Sequence, residues 1–355
     1  MKGLLHDRLW IKKVPSVYSA EQVSKWLSKI QYPQAKAIDP SKFEPNLDNL
    51  RVLVRHHIAA FPFENTPMHY TPERTMDIGF DYLYQRLVVN NGGSYCFGMN
   101  RIFLQMIRGL GYRAYSGSGR INTGPPDSPP NFLPFTHMLL FIQPIDGSNA
   151  TYFVDASGGG SSLTQPILLV DGESVMGSTP SEKHVLIRTA RSESSLASSL
   201  SGDSELKVEW RLLVNHLKDS GATSTRIMYS FVEVEFFEAD YEAANILVYN
   251  KKEDIFWNNV VCAKCFFLDD KQMEEIERQP SLFTANDGAN VWERPYLGRL
   301  ALEGRTIKRH VGIKTEVLKT MESELDRLEG LKEWFNIDID PTAVKHIKGR
   351  VPAYG

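Results

Sequence analysis

The stretch Asn91-Gly92-Gly93-Ser94-Tyr95-Cys96-Phe97-Gly98-Met99-Asn100 places a cysteine between paired glycines and an apolar run. The glycines allow a sharp backbone turn and close substrate approach. Beyond Cys96, the residues Met99, Phe103, Met106, Ile107 and Leu110 recur at helical spacing, with Gly109 and Gly111 near the end of the pattern. A helix that starts at Cys96 and carries those residues on one face is therefore predicted. A cysteine at a helix N-terminus feels the positive end of the macrodipole, which favours thiolate over thiol. Taken alone, a cysteine in such company reads as a small buried hydrophobe.

Two downstream residues change that reading. His137 lies in Thr136-His137-Met138-Leu139-Leu140-Phe141-Ile142, an apolar run that predicts a buried strand in which an imidazole needs a partner. Asp155 ends a second strand, Thr151 to Ala156, just before Ser157-Gly158-Gly159-Gly160. A carboxylate at that strand end can accept the imidazole Nδ1–H and fix its tautomer, with Nε2 turned toward the sulfur. Either residue alone reads as a satisfied core histidine or a turn-capping aspartate. In the order cysteine, histidine, aspartate, on successive elements, they predict a nucleophilic triad.

Outward from this centre the pattern is helical first and then strand-rich. Ser19 with Gln22 resembles a capping box, followed by Val23, Trp26, Leu27 and Ile30 on one helix face. A second helix is predicted after Asn46, with Leu47, Leu50, Val54 and Ile58 as its buried stripe. Strands are predicted at Arg113 to Ile121, Thr136 to Ile142, Thr151 to Ala156, Ile167 to Val170, His184 to Thr189 and Leu206 to Val214. Ser192 to Ser204 contains seven serines and reads as a mobile insertion. A closing helix between Glu322 and Phe335 would turn Leu325, Leu328 and Trp334 to the core and its charges to solvent. Cys262-Ala263-Lys264-Cys265 has C-x-x-C spacing, but zinc needs about four ligands and no second pair lies nearby, so a strand with structural cysteines is predicted.

These residues carry a family resemblance. Gly92 to Asn100, Thr136-His137-Met138 and the glycine-followed Val154-Asp155 resemble the Cys, His and Asp motifs of the arylamine N-acetyltransferases. Pro62-Phe63-Glu64-Asn65 resembles that family's Pro-Phe-Glu-Asn element, and Phe236 to Phe256 and Leu302 to Ile339 resemble its later segments. The resemblance implies an α+β chain with a cysteine-protease/transglutaminase-like catalytic core. It implies a helical domain over 1–112 carrying Cys96, a β-barrel domain over 113–231 carrying His137 and Asp155, and an α/β lid with a tail over 232–355. It also implies ping-pong transfer of an acetyl or other short acyl group from acyl-CoA to arylamines or arylhydrazines, as in xenobiotic metabolism. Acetyl-, propionyl- or malonyl-CoA would be a co-substrate rather than a resident cofactor, and no metal is expected. Phe63, Tyr95, Phe97 and Phe135 would line an aromatic pocket, while Ser157, Gly158 and Gly159 would admit the pantetheine arm or pyrophosphate.

The chain departs from the family pattern at two places. Where the family has Arg-Gly-Gly-x-Cys, the glycine pair is displaced by one and the arginine is missing. Glu64 would then need another cation, with Arg101 or Arg55 as the expected substitutes. Gly158 stands where many members carry an aromatic residue facing the acceptor. In some members the C-terminal tail enters the cleft, which makes Pro341 to Gly355 of interest here. Two competing readings share the same triad order: a transglutaminase- or papain-like hydrolase, and a family member that binds ligand without turnover.

Composition narrows the class further. A chain of 355 residues, 42% hydrophobic, can bury a sizeable core, and a net charge of −3 gives no bulk attraction to nucleic acid. No apolar stretch approaches the roughly 18 residues of a membrane span. Asp7 and Arg8 interrupt any signal-peptide core, and three cysteines suit a reducing compartment. A cytoplasmic enzyme acting on small molecules is expected, with oligomeric state open.

Overall fold

The computed structural model describes residues 2–190, 194–195, 208–252, 254–283 and 296–354. The predicted serine-rich insertion, Ser192 to Ser204, lies outside the described residues apart from 194 and 195. The first long helix, Ala20–Lys29, begins where Ser19 and Gln22 cap each other reciprocally, and it buries Val23, Trp26 and Leu27. The second, Leu47–Ala60, is capped by the Asn46 side chain, which accepts from the Asn49 N–H, and it buries Leu50, Leu53, Val54 and Ile58. These caps satisfy backbone donors that the first helical turn leaves without partners.

The third long helix, Cys96–Gly109, departs from the amphipathic expectation. Every residue from Cys96 to Ile107 is buried, so the helix has no solvent face over that span. It is enclosed by the first two helices and by the back of a large sheet, whose Met138, Leu140, Ile142 and Val154 share its hydrophobic cluster. Its polar residues are tolerated because they are hydrogen-bonded. Asn100 donates to Met138 O at 2.8 Å, Arg101 pairs with Glu238, and Gln105 accepts from Val17 N at 3.2 Å.

That sheet has eight strands, ordered from Ile167–Leu168 through Tyr152–Val154, Phe132–Gln143, Arg113–Asn122, Thr223–Phe231, Glu209–Leu217 and Glu182–Thr189 to Ser174–Met176. Alternation along Phe132–Gln143 sends Met138, Leu140 and Ile142 to the helices, and Leu139 and Phe141 to a second core with Phe153, Tyr229 and Phe231. Burial on both faces explains why this strand reads as a continuous apolar run. The sheet curls until its edges face each other, where Thr164 Oγ1 donates to Gly177 O at 2.9 Å and Gln165 Nε2 to Met176 O at 2.8 Å. The expected barrel is thus a near-barrel, its seam bridged by side chains instead of a backbone ladder. Thr223–Phe231, unpredicted because it opens on polar residues, is central to it and pairs with strands on both sides.

A second, five-stranded antiparallel sheet runs in the order Phe63–Glu64, Cys262–Phe267, Leu297–Glu303, Thr306–Val311 and Lys314–Thr320. Pro-Phe-Glu-Asn supplies its edge, with Phe63 opposite Ala263 and Glu64 opposite Cys262. Cys262 and Cys265 are buried, unbridged strand residues, as the spacing argument expects. The closing helix, Glu324–Phe335, packs on this sheet through Leu328, Leu331 and Phe335. The reading of Leu325 as core-facing is corrected: it is 59% exposed. Glu324 and Arg327, expected in solvent, are buried instead. They pair at 3.3 Å and bond the Tyr70 hydroxyl, which compensates their desolvation. The tail docks on the same group, with Arg327 donating to Pro352 O and Tyr354 N to Glu324, and among the described residues none of its hydrogen bonds reaches Cys96, His137 or Asp155.

Candidate active site

Cys96 is the first residue of its helix, and among the described residues no side chain caps that end. The N–H groups of its first turn have no partners within the helix. Cys96 Sγ lies 3.8 Å from the carbonyl oxygen of Thr136, the residue immediately before His137. His137 and Asp155 come from neighbouring strands, and His137 Nε2 meets Asp155 Oδ2 at 2.8 Å. The expected arrangement of the ring nitrogens is therefore reversed. Asp155, reaching across from the next strand, takes the distal Nε2, which leaves Nδ1 as the nitrogen for the cysteine. The physical reason is the sulfur's position against the Thr136 carbonyl, on the backbone side of the ring.

All three side chains are buried. Burial alone would push the His137 imidazole down, but the Asp155 charge and the sulfur of Cys96 outweigh it and hold it up at about 10. Burial alone would push Asp155 up, yet His137, Asn100 and Ser157 hold it down to about 2. The carboxylate also accepts from Asn100 Nδ2 at 3.0 Å, Ser157 N at 3.1 Å and the Tyr229 hydroxyl at 3.1 Å. The Tyr229 ring lies 4.7 Å from the imidazole, centroid to centroid. Sequence reasoning missed both side-chain supports. Asn100 had a signal, since it sits four residues after Cys96 on the same helical face. Tyr229 had none, because its strand was not predicted.

The glycine pair before the cysteine is explained by what presses on it. A Cβ at Gly93 would lie 1.9 Å from the carbonyl oxygen of Pro62, so the cysteine loop and Pro-Phe-Glu-Asn are in backbone contact there. Glu64 N donates to Ser94 O at 3.2 Å, and Gly93 N donates to Glu64 Oε1 at 3.2 Å. The cation for Glu64 is neither Arg101, which pairs with Glu238, nor Arg55, whose guanidinium lies 5.9 Å from the Phe267 ring centre. It is Arg86: Nη2 donates to Glu64 Oε1 at 2.6 Å and Nε to Gly93 O at 2.8 Å. Arg86 arrives from a π-helical turn, Tyr84–Val89, that precedes the loop. Its only sequence signal is a charge inside the otherwise largely apolar Tyr84 to Val89.

The N-acetyltransferase family profile matches residues 46–289, well over half of the chain. The chain belongs to the arylamine N-acetyltransferase family. It is an acyltransferase by that membership. Its relatives include N-malonyltransferase FDB2 of Gibberella moniliformis, 23% identical with 91% of this chain and 90% of that protein covered. The arylamine N-acetyltransferase of Escherichia coli (strain K12) is 29% identical, with 56% of this chain and 60% of that protein covered. Among solved structures, the Mycobacterium marinum arylamine N-acetyltransferase in complex with CoA matches with a TM-score of 0.62 at 22% identity, covering 94% of this chain and 97% of that one. At that identity the likeness shows the fold.

Against the arylamine N-acetyltransferase pattern, the remaining candidate residues fall into separate groups. Phe63 and Tyr95 share a neighbour, Phe256, with ring centres 6.0 and 5.4 Å away. Gly159 belongs to the same neighbourhood, since a Cβ there would lie 3.6 Å from the Phe63 ring. Tyr95 is fully buried with its hydroxyl on Asn245, and Phe97 is fully buried between Tyr95 and Tyr241, so both contribute to the core. Phe135 lies apart, with Phe236 at 5.4 Å and the Arg120 guanidinium 3.7 Å over its ring. Ser157 is buried and its N–H is engaged by Asp155. Gly158 has φ +71°, a left-handed conformation that disfavours the family's aromatic residue at this position.

Proposed function

We propose that this chain transfers a short acyl group from acyl-CoA to an arylamine or arylhydrazine, through a thioester on Cys96. The observation that carries the reading is the Cys96, His137 and Asp155 cluster, within a chain whose family is that of acyltransferases. The part over 1–112 would contribute the nucleophile, 113–231 the base and its carboxylate, and 232–355 a lid. Phe256 from that third part, against Phe63 and Tyr95, supports the lid assignment. The compartment we infer is the cytoplasm; no described helix is long and apolar enough to cross a membrane.

In the first half-reaction His137 takes the Cys96 proton, and the thiolate attacks the thioester carbonyl carbon. First-turn N–H groups of the helix stabilise the developing oxyanion. The carbon–sulfur bond to CoA breaks, and the CoA thiolate leaves with the proton from His137. In the second half, the amine nitrogen attacks the Cys96 thioester while His137 accepts its proton. Collapse expels the Cys96 thiolate and releases the amide. Asp155 keeps the imidazolium oriented throughout. Enclosure of the buried triad limits hydrolysis of the acyl-enzyme.

Acetyl-CoA is the donor the family implies. Malonyl-CoA is a second reading, favoured by the coverage of the N-malonyltransferase relatives, 91% of this chain against 56% for the Escherichia coli acetyltransferase. Mass spectrometry after mixing with acetyl-, propionyl- or malonyl-CoA should show one acyl group on Cys96 and none on Cys96→Ser. Absence of any adduct from a protein whose Cys96 still alkylates would end the reading. Cleavage of peptides without CoA consumption would favour the hydrolase alternative.

A further inference from the structure

A cleft of about 780 Å³ lies between the end of the first long helix, the length of the second and the strand Cys262–Phe267. Neither Cys96, His137 nor Asp155 lines it. Its volume is that of a small-molecule site. Its charge is one-sided: Lys29, Arg51, Arg55 and Lys264 face a single carboxylate, Asp48, among the described lining residues. Asp48 is already paired with Arg51, at 2.8 Å. Lys29 donates to the amide oxygen of Asn91, and Lys264 has no ion pair among the described residues.

Lys264 is the informative residue. Its neighbours Cys262, Ala263 and Cys265 are buried, and Lys264 itself is half-buried. Burying an ammonium beside further cations is unfavourable unless an anion offsets it. Burial pushes Lys264 below the usual lysine range and the Lys29 charge adds to that, while burial also lowers Lys29. One wall is aromatic, with the His56 and Phe267 rings 4.9 Å apart and inclined at 50°. A concave wall of converging cations beside aromatic rings matches a ligand that carries both phosphate and a flat ring.

We propose that this cleft binds a phosphate-bearing small molecule of the nucleotide class, with Lys264 and Lys29 as its oxyanion contacts. Two sources offer that chemistry: the nucleotide end of a CoA thioester, or a free nucleotide acting at a site separate from catalysis. The inference stands independently of the acyl-transfer reading, because Cys96 takes no part in the cleft.

The test is calorimetric titration of the full chain at low ionic strength with inorganic pyrophosphate and with 3′,5′-ADP. The wild type and Cys96→Ser should bind both ligands equally. Lys264→Gln and Lys29→Gln should each weaken binding by about tenfold, with circular dichroism unchanged. Lys29 stands on a different element from Lys264, so its variant keeps the test valid should Lys264→Gln fail to fold. If CoA supplies the phosphates, 3′,5′-ADP will compete with acetyl-CoA, and the variants will raise its KM at constant kcat. If a free nucleotide does, 3′,5′-ADP will bind without competing, and that KM will not change. A wild-type protein that binds neither probe, or variants that bind both as tightly as wild type, would overturn the proposal.

Discussion

Asp155 accepts four hydrogen bonds, from His137, Asn100, Tyr229 and the Ser157 backbone, which fills a carboxylate's acceptor positions. A carboxylate saturated in this way has one orientation, and the imidazole paired with it has one as well. Asn100 reinforces the arrangement, since it also accepts from Ala156 N at 2.8 Å and so ties the cysteine's helix to the aspartate's strand. Removing one donor should loosen the imidazole without dismantling the site. Tyr229→Phe is expected to lower the Cys96 acylation rate about tenfold, the value of one hydrogen bond to a charged group. Asp155→Asn should cost far more, about 10³- to 10⁴-fold. In that variant burial is no longer opposed by the carboxylate, so the His137 ring should titrate well below its native value of about 10. Histidine ring resonances followed by NMR would check this, and an unchanged titration in Asp155→Asn would contradict the pairing. Arg86 makes a residue-scale prediction of another kind. Glu64 is fully buried, and Arg86→Ala leaves its charge without a cation, a loss of about 3–5 kcal/mol. Arg86→Lys should recover only part of the urea midpoint, because a point charge cannot hold both Glu64 and the Gly93 carbonyl.

At the scale of elements, the turn before Cys96 depends on the absence of a side chain at Gly93. The contact with the Pro62 carbonyl oxygen is backbone on both sides, so neither partner has a flexible end to move away. Gly93→Ala should therefore separate the cysteine loop from Pro-Phe-Glu-Asn and destabilise the chain by about 2–3 kcal/mol, read as a lowered denaturation midpoint. The same contact shows what was legible in the sequence. Glycines, a cysteine and a helical stripe revealed the turn and the helix start, because those signals are local. Ser19 with Gln22, and Asn46, were legible for the same reason, since a cap is a short-range hydrogen bond. Features that depend on distant partners were hidden. Burial of both faces of Cys96–Gly109 is decided chiefly by the first two helices and the strand Phe132–Gln143, each more than twenty residues away. Thr223–Phe231 is a strand because it fits between two others, and its polar opening disguises that role. Leu325 follows helical spacing but points outward, because Glu324 and Arg327 are held inward by Tyr70 and the tail. The ring nitrogen that faces the sulfur was likewise set by strand geometry, which no spacing encodes.

For the whole molecule, the buried His137–Asp155 pair makes stability depend on pH with a defined sign. An unfolded chain has ordinary values of about 6.5 for histidine and about 3.9 for aspartate. In the fold the imidazole is held up at about 10 and the carboxylate down at about 2. A raised histidine stabilises fully below its unfolded value and loses that contribution as pH climbs through the folded one. A lowered aspartate stabilises above its unfolded value and loses its contribution as pH falls through the folded one. The pair's joint contribution is therefore complete only between about pH 4 and 6.5, and it declines on both sides. His137→Gln removes the alkaline limb, because glutamine does not titrate. Melting temperatures of wild type and variant, measured from pH 6.5 to 10, should converge as pH rises, while titrating groups away from the site cancel in the difference. Parallel curves over that range would mean that the imidazole carries no raised proton affinity in the fold, and the charge-paired form of the site would have to be abandoned.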